Sequence, residues 1–300
     1  MDFRGTYTAL VTPFSNDANA SIDWPAFDVL VDTQIDGGIA GLVPCGTTGE
    51  CPTLSHTEMI DLYARTVYEA RGRAQVIAGT GSNSTAHAID LSQAAEKAGV
   101  DAVMVVVPYY NKPTQDGLVA HYCAIAASVK CPVVVYNIPA RTGIDLSADA
   151  LVRICEKAKN LVACKEATGN VLRAQELSRR LGDRLQILSG DDALTLPMIS
   201  VGAKGVISVT SNLLPLEVAD ATNAALDGDR LTAKKLHLAL LPVHEAMFVE
   251  ANPSPVKWAL AEKKKMNNVV RAPLVPVSDS SAKKIAAVLD AHARGRDKGR

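Results

Sequence analysis

The chain has 300 residues, of which 48% are hydrophobic and 21% are charged, a balance typical of a folded globular protein. Its 31 basic and 32 acidic residues give a net charge of −1, so no overall field favours binding to nucleic acid or to an anionic membrane surface. The first residues lack the apolar segment of a secretory signal, and the longest apolar run, residues 102–108, is far too short to span a membrane.

Short runs rich in valine and isoleucine recur along the chain. Their length and composition predict strands that are buried on both faces. The eight runs cover residues 8–14, 41–46, 75–80, 101–108, 131–137, 160–166, 184–190 and 205–211.

Helical segments separate these runs. The first has a serine or aspartate cap within residues 21–23 and stops at Gly37 and Gly38. The second opens with Ser55 and Glu58, which have the spacing of a capping box. Further helical segments cover residues 84–101, 116–130, 147–160, 171–183 and 193–205.

Eight strand–helix units in about 215 residues predict a closed (β/α)8 barrel, the TIM barrel. An open doubly wound sheet usually has fewer strands, and no Gly-x-Gly-x-x-Gly follows the first run. After Ser211 the strand signals stop, and the helical pattern continues over residues 215–248, 253–267 and 278–295. We therefore expect a catalytic barrel domain over residues 1–225 and a C-terminal helical domain over residues 226–300.

Reactive groups of such barrels lie at the carboxyl ends of the strands. Lys165 ends the sixth run and is the only lysine inside or at the end of a predicted strand. Burial would lower its pKa and leave a neutral amine that attacks carbonyl groups. Two alternatives stay open, namely an ion pair with Glu166 and a side chain that extends through the barrel mouth into solvent.

Other polar residues gather at neighbouring strand ends. Tyr136 ends the fifth run and could move protons, although a tyrosine there often serves only packing. Arg141 follows Pro139 on a loop, where it could bind a carboxylate or simply face solvent. Residues 46–50, GTTGE, could hold a carboxylate with hydroxyl and backbone N–H groups, or form only a tight turn.

The same strand ends argue against a metal or a nucleotide. Residues 190–192, GDD, could bind a metal, but a helix cap is the better interpretation. All six histidines fall in predicted helices and none pairs as H-x-x-x-H, so we expect no catalytic metal. Residues 46–50 lack the Gly-Lys-Ser/Thr of a phosphate-binding loop. The aromatic residues 109–110 could line a site or a subunit interface.

Six cysteines are spread through the chain, and none is part of a C-x-x-C pair. With no export signal, we expect reduced and mostly buried thiols in a cytoplasmic protein. They are Cys45, Cys51, Cys123, Cys131, Cys155 and Cys164.

Together these strand ends resemble the dihydrodipicolinate synthase family, within the wider superfamily that includes N-acetylneuraminate lyase. The similarity extends from Gly5 to Asn212, with a looser helical match beyond. The motifs that carry it are GTTGE, PYYNKPTQDG, YNIPART, KEATGN, SGDD and GVISVTSN, in this order along the chain.

The resemblance implies a barrel enzyme, usually a homotetramer, with no cofactor other than a covalent lysine–pyruvate Schiff base. It implies that Lys165 forms this Schiff base and that the enamine adds to the aldehyde of L-aspartate 4-semialdehyde, in the diaminopimelate route to lysine. Tyr136, Thr47 and Tyr110 match the family's proton relay, and Tyr110 would reach in from the neighbouring subunit.

The resemblance also implies the residues that bind the substrates. Thr48 and Ile207 match positions that hold pyruvate, and Gly190 matches a position that lines the same pocket. Arg141 matches the arginine that receives the carboxylate of the aldehyde substrate.

Two details favour the synthase over a lyase for N-acetylneuraminate or a keto-sugar acid, which is the alternative. Neuraminate lyases usually read Gly-Ser-Thr-Gly-Glu where this chain reads GTTGE, and they lack an arginine at the position of Arg141. A third possibility, a non-catalytic barrel with a binding role, disagrees with the joint presence of the lysine, the tyrosine, the threonines and the arginine.

In lysine-inhibited members of the family the effector binds at a subunit interface. His87 of this chain stands where an acid usually holds the effector's ammonium group, and without that charge partner we expect weak or absent inhibition. The positions that match the effector site are His56, Asn83 and Tyr109, and those that depart from it are Cys51, Met59 and His87.

Overall fold

The computed structural model describes residues 1–297 of the chain. Within them, eight parallel strands form a closed barrel in chain order, and the last strand pairs with the first. This confirms the predicted TIM barrel. The strands are β1 Gly5–Ala9, β2 Gly41–Val43, β3 Gln75–Gly79, β4 Ala102–Val106, β5 Val133–Asn137, β6 Leu161–Glu166, β7 Gln186–Ser189 and β8 Gly205–Ser208.

Helices surround the barrel and continue beyond it, and between residues 1 and 297 none of them is long and apolar enough to cross a membrane. Residues 298–300, the end of the predicted C-terminal domain, lie outside the described residues. The helices are α1 Trp24–Asp36, α2 His56–Ala70, α3 Thr85–Ala98, α4 Gln115–Ser128, α5 Pro139–Thr142, α6 Ala148–Lys157, α7 Val171–Leu181, α8 Thr195–Ser200, α9 Pro215–Leu226, α10 Arg230–Ala246, α11 Ser254–Glu262 and α12 Asp279–Asp297.

The predicted helix caps of α1 and α2 are confirmed. The side chain of Asp23 accepts a hydrogen bond from the backbone N–H of Ala26 at 3.2 Å. In the capping box, Glu58 N donates to Ser55 Oγ at 3.2 Å, and Ser55 N donates to Glu58 Oε2 at 2.8 Å. Both caps satisfy N–H groups that the first helical turn leaves without partners.

The predicted bounds of the first strand are wrong. The sequence places it at residues 8–14, whereas β1 is Gly5–Ala9 and residues 10–14 leave the sheet. Pro13 has no N–H to donate to a ladder, and Phe14 is fully buried against Lys257 and Arg271 from the C-terminal part of the chain. An apolar run therefore indicates only that the segment is buried. Residues 8–9 are buried in the strand, whereas Phe14 is buried against the C-terminal part of the chain.

The segment around Arg141 also differs from its prediction as a loop. Residues Pro139–Thr142 form the one-turn helix α5, which ends at Gly143 with a φ of +73°. Proline suits the first turn of a helix because its fixed φ is already helical and its missing N–H is not needed there. Arg141 is consequently held on a helical turn and not on an extended loop.

The hydrophobic core has two layers, because successive strand residues point to opposite faces. The outer layer lies between the strands and the helices. The inner layer fills the barrel with Phe3, Tyr7, Ala9, Val43, Ile77, Ala102, Met104, Val134, Tyr136, Ala163, Leu188 and Ile207.

The helices after β8 pack on the side of the barrel where β8 pairs with β1. Helix α9 packs on β1 and β8, α10 packs on α9, and α12 packs on both α10 and α11. The predicted helical stretch 215–248 is broken at Gly228, whose φ is +80°, and Asp229 caps α10. The division into residues 1–225 and 226–300 stays a prediction.

Barrel closure depends on a close approach between β1 and β8. Gly5 pairs with Gly205, and a Cβ on Gly205 would lie 1.9 Å from the carbonyl oxygen of Gly5. The φ of Gly205 is +154°, which side chains rarely adopt. The two strands can meet at this point only because residue 205 has no side chain.

Gly205→Ala should therefore destabilise the whole barrel. We expect the free energy of unfolding in urea to fall by about 3 kcal/mol or more, since backbone has to move to relieve the clash. Gly295→Ala is the matched control, because its Cβ would meet no atom within 4 Å in α12. If both variants unfold at the wild-type urea concentration, closure does not depend on Gly205.

Candidate active site

Lys165 lies near the carboxyl end of β6 and points into the barrel. It shares its face of the strand with Ala163 of the inner core layer, and only 5% of its surface is exposed. Cys164 and Glu166 point to the opposite face, toward the helices. The amine is therefore enclosed at the carboxyl end of the barrel.

The structure decides between the alternatives left open for this lysine. Glu166 pairs with Arg173, whose Nε donates to Glu166 Oε2 at 2.8 Å, and the backbone N–H of Thr168 donates to Oε1 at 2.8 Å. Adjacent strand residues cannot pair across the sheet, because their side chains lie on opposite faces. Lys165 is also buried, so neither the ion pair with Glu166 nor extension into solvent describes it.

Burial lowers the pKa of Lys165 from its ordinary value of 10.5 to about 8. Removal from water disfavours the ammonium form most, and the positive charge of Arg141 lowers the pKa further. The carboxylate of Asp192 opposes both effects. A substantial fraction of the amine is thus neutral and nucleophilic near pH 8.

Tyr136 faces Lys165 from the neighbouring strand β5, in direct register with it. The Nζ atom of Lys165 lies 4.1 Å from the centroid of the Tyr136 ring. Burial raises the pKa of Tyr136 to about 12, while a hydrogen bond with the side chain of Thr47 and the charge of Arg141 lower it. The phenol therefore keeps its proton at neutral pH and is connected to a second hydroxyl.

The segment Gly46–Glu50 follows β2 and brings its two threonines to this cluster. Thr47 reaches Tyr136, and Thr48 is buried with its Oγ1 accepting a hydrogen bond from Asn252 Nδ2 at 3.0 Å. The segment lies directly against β3, where a Cβ on Gly79 would be 2.2 Å from the carbonyl oxygen of Cys45. Only glycine allows this close approach.

The other residues expected to bind substrates also lie at or after the carboxyl ends of strands, on the same end of the barrel as Lys165. Arg141 is exposed on α5, yet its charge influences both Tyr136 and Lys165. Ile207 is buried in the inner layer on β8. Gly190 follows β7, and a Cβ there would lie 2.5 Å from the Cβ of Ala167, so this position needs glycine.

Tyr110 is the one expected site residue that does not join the cluster within the described chain. Its surface is 88% exposed, and its φ is +73°, in the left-handed region that non-glycine residues rarely adopt. The chain thus presents a large aromatic side chain outward on the loop after β4.

Sequence reasoning missed two residues of the site. Asp192 is buried, where it accepts hydrogen bonds from Ser208 Oγ and from Val209 N at 2.9 Å and acts electrostatically on Lys165. The only hint of Asp192 in the sequence is its position directly after a buried run. The predicted capping role belongs to its neighbour Asp191, whose side chain accepts a hydrogen bond from Ala193 N at 2.9 Å. Asn252 gave no signal, because it lies between helices far along the chain.

The structure also shows where the histidines and cysteines lie. No three His, Cys, Asp or Glu side chains among residues 1–297 are grouped so as to hold a metal ion. Three of the six cysteines are buried and three are partly buried. The histidines all lie in helices, namely His56 in α2, His87 in α3, His121 in α4, His237 and His244 in α10, and His292 in α12.

Comparison with known proteins gives a consistent result over nearly the whole chain. The model of the dihydrodipicolinate synthetase family matches residues 2–292. The 4-hydroxy-tetrahydrodipicolinate synthase of Sorangium cellulosum is 56% identical over 289 residues, which are 96% of each sequence. That of Geobacter sulfurreducens is 48% identical over 287 residues, which are 96% of this chain and 98% of the relative.

Solved structures agree with the sequence comparison. The structure of 4-hydroxy-tetrahydrodipicolinate synthase from Methylacidiphilum fumariolicum SolV has a TM-score of 0.96 and 46% identity, covering 99% of this chain and 98% of that one. Dihydrodipicolinate synthase from Aquifex aeolicus has a TM-score of 0.94 and 42% identity, covering 97% and 98%.

The lowered pKa of Lys165 predicts an unusual pH dependence of its reactivity. At pH 7, a pKa near 8 gives roughly 300 times more neutral amine than a pKa of 10.5. Acetylation of Lys165 by dilute acetic anhydride, followed by peptide mass spectrometry, should therefore rise up to about pH 8 and then level off. A lysine in a short peptide is the control. If both lysines gave the same pH profile, burial would not have lowered the pKa of Lys165.

Proposed function

The chain belongs to the dihydrodipicolinate synthetase family, and we propose that Lys165 is the Schiff-base lysine with which it acts as a 4-hydroxy-tetrahydrodipicolinate synthase. This lyase of the class I aldolase type condenses pyruvate with L-aspartate 4-semialdehyde, in the diaminopimelate route to lysine. The observation that carries the assignment is the buried amine of Lys165, 4.1 Å from the ring of Tyr136 on the adjacent strand.

The chemistry begins with the neutral amine of Lys165. Its nitrogen attacks the keto carbon of pyruvate, and the resulting carbinolamine loses water to give the Schiff base. Tyr136 gives a proton to the departing hydroxyl and recovers one through Thr47, which is hydrogen-bonded to it. Loss of a methyl proton gives the enamine, whose carbon attacks the aldehyde carbon while the aldehyde oxygen takes up a proton. The amino group of the added semialdehyde then attacks the imine carbon, which closes the ring and breaks the bond from that carbon to Lys165 Nζ.

The surrounding residues bind the two substrates. Thr48, through its hydroxyl and backbone, and Ile207 hold pyruvate, and Gly190 leaves room beside them. Arg141 receives the carboxylate of the semialdehyde, which a guanidinium binds with two parallel hydrogen bonds. A keto-sugar acid brings no such group to this position, so Arg141 favours the semialdehyde over the substrates of sugar-acid lyases.

An assembly is part of this proposal, because Tyr110, the third relay hydroxyl that the family resemblance implies, is exposed and faces away from the cluster of its own chain within the described residues. Tyr110 of the partner subunit would complete the relay in a homotetramer, and the exposure of this side chain supports that arrangement. The enzyme would work in the cytoplasm with no cofactor other than the lysine–pyruvate Schiff base.

Borohydride trapping tests the role of Lys165. We expect that incubation with pyruvate and borohydride adds one reduced pyruvate to the peptide that contains Lys165, whereas Lys165→Met forms no adduct. An unmodified wild-type peptide would refute Schiff-base chemistry and leave a barrel with a binding role. Among aldehydes offered next, aspartate semialdehyde should turn over far faster than mannosamine derivatives or glyceraldehyde.

Arg141→Ala should separate the two substrates. We expect the KM for semialdehyde to rise roughly 10- to 100-fold, since charged hydrogen bonds to its carboxylate are lost, while the pyruvate adduct still forms. Arg153→Ala on α6 removes another exposed arginine and should leave both steps unchanged. Normal semialdehyde turnover by Arg141→Ala would remove the main support for this substrate.

Inhibition by lysine should be weak or absent. His56 already pairs with Asp90, its Nε2 lying 2.7 Å from Oδ2, and its ring centroid lies 6.3 Å from that of His87. No acid stands at the position of His87 to bind the effector's ammonium. Steady-state assays should show at most slight inhibition by millimolar lysine, with His87→Glu more sensitive. A single-digit micromolar inhibition constant for the wild type would contradict this prediction.

A further inference from the structure

A buried ion pair joins the segment Gly46–Glu50 to the C-terminal part of the chain. Lys257 on α11 places its Nζ 2.6 Å from Glu50 Oε1, and both side chains are 0% exposed. The same Nζ donates to the carbonyl oxygen of Thr12 at 2.8 Å. The lysine thus binds both the segment after β2 and the chain that follows β1.

A second cation supports this pair from the other side. The backbone N–H of Arg271 donates to Glu50 Oε2 at 2.9 Å, and its guanidinium donates to both oxygens of Glu58 at 2.9 and 2.6 Å. The centroid of the Phe14 ring lies 4.2 Å from Lys257 Nζ and 4.3 Å from Arg271 Cζ, so both cations contact this ring. Glu50 therefore has both carboxylate oxygens occupied by residues from beyond the barrel.

The backbone of this segment is held in an unusual conformation. Cys45 and Glu50, on either side of the four residues between them, have φ values of +55° and +57°, which cost energy for residues with a side chain. Glu50 N donates to the carbonyl oxygen of Thr47 at 3.1 Å, so the placement of Glu50 is transmitted to Thr47. Such a conformation persists only where its surroundings hold it.

We propose that Lys257 is a positioning residue, which acts through Glu50 to hold Thr47 against Tyr136 and Thr48 in the pyruvate pocket. The inference rests on the proposed function, because it concerns the relay and the pocket described there. Asn252, five residues before Lys257, binds the hydroxyl of Thr48 directly, so the same C-terminal stretch contacts the segment at two points.

Stability alone is a poor reason for this pair. Removing two charges from water costs free energy that their attraction often fails to recover, and apolar replacements of buried pairs are often neutral or stabilising. The pair instead holds the side chain of Glu50 in place, and the backbone N–H of Glu50 is bonded to the carbonyl oxygen of Thr47. A positioning role therefore predicts a kinetic defect that is separable from stability.

Lys257→Met tests the proposal through the two substrates. We expect the KM for pyruvate to rise at least about tenfold and trapping of the pyruvate adduct to slow by a similar factor. The KM for semialdehyde should change less than about threefold, because Arg141 is held on α5 and not on the segment that Lys257 supports. All constants are measured per folded site, well below the melting temperature.

Two further variants separate positioning from folding. Val256→Ala removes a buried side chain next to Lys257 in α11 while leaving the ion pair intact, and it should lower the melting temperature with wild-type constants for pyruvate. The double variant Glu50→Gln/Lys257→Met carries no unpaired buried charge, so it keeps the test available if Lys257→Met does not fold. Its melting temperature should be higher than that of Lys257→Met, while its KM for pyruvate should stay raised.

The opposite results would overturn the proposal. If Lys257→Met, or the double variant in its place, has wild-type constants for pyruvate, the pair only fastens α11 to the barrel. If the wild-type enzyme itself gives no pyruvate adduct, the proposed function fails instead. The wild-type measurement therefore distinguishes the two failures.

Discussion

The site depends on one electrostatic constraint, the enclosure of the Lys165 amine with no carboxylate of residues 1–297 in direct contact. A buried ammonium ion is unfavourable because it has lost its contact with water. Burial therefore lowers the pKa of Lys165 and shifts the amine toward its neutral form. The carboxylate of Glu166, next in sequence, is kept on the other face of β6 by Arg173. If it turned inward, it would stabilise the ammonium and remove the nucleophile.

The residues around Lys165 follow from the same constraint. Tyr136 offers the face of an aromatic ring, which tolerates either charge state of the amine, and its own proton is retained by burial. Asp192 supplies a negative charge, but hydrogen bonds from Ser208 and Val209 occupy its oxygens. The balance of these groups, and not the lysine alone, sets a pKa near 8.

The buried pair of Lys257 and Glu50 differs from Lys165, because here a carboxylate contacts the buried lysine. Lys257 is also fully buried, and burial lowers its pKa too, but here the carboxylate of Glu50 lies in direct contact and opposes that shift. The two lysines therefore differ in what faces them. Lys165 faces the ring of Tyr136, whereas Lys257 faces the carboxylate of Glu50, so the first amine has no acid in contact to hold it as an ammonium ion among the described residues.

The sequence by itself determined the barrel, the caps of the first helices, the strand ends on which Lys165 and Tyr136 lie, and the segment after the second strand that carries the two threonines. These follow from local signals, because apolar runs, capping residues and glycines act within a few residues of the chain. It misplaced the first strand, since an apolar run reports burial without saying whether a sheet or the C-terminal helices provide it. Only the tertiary structure decided which carboxylate faces which cation. Glu50 and Lys257 are 207 residues apart, and Asp192 acts on Lys165 from the segment after the neighbouring strand β7. Such pairings depend on how the barrel closes and where the C-terminal helices pack, which no local pattern encodes.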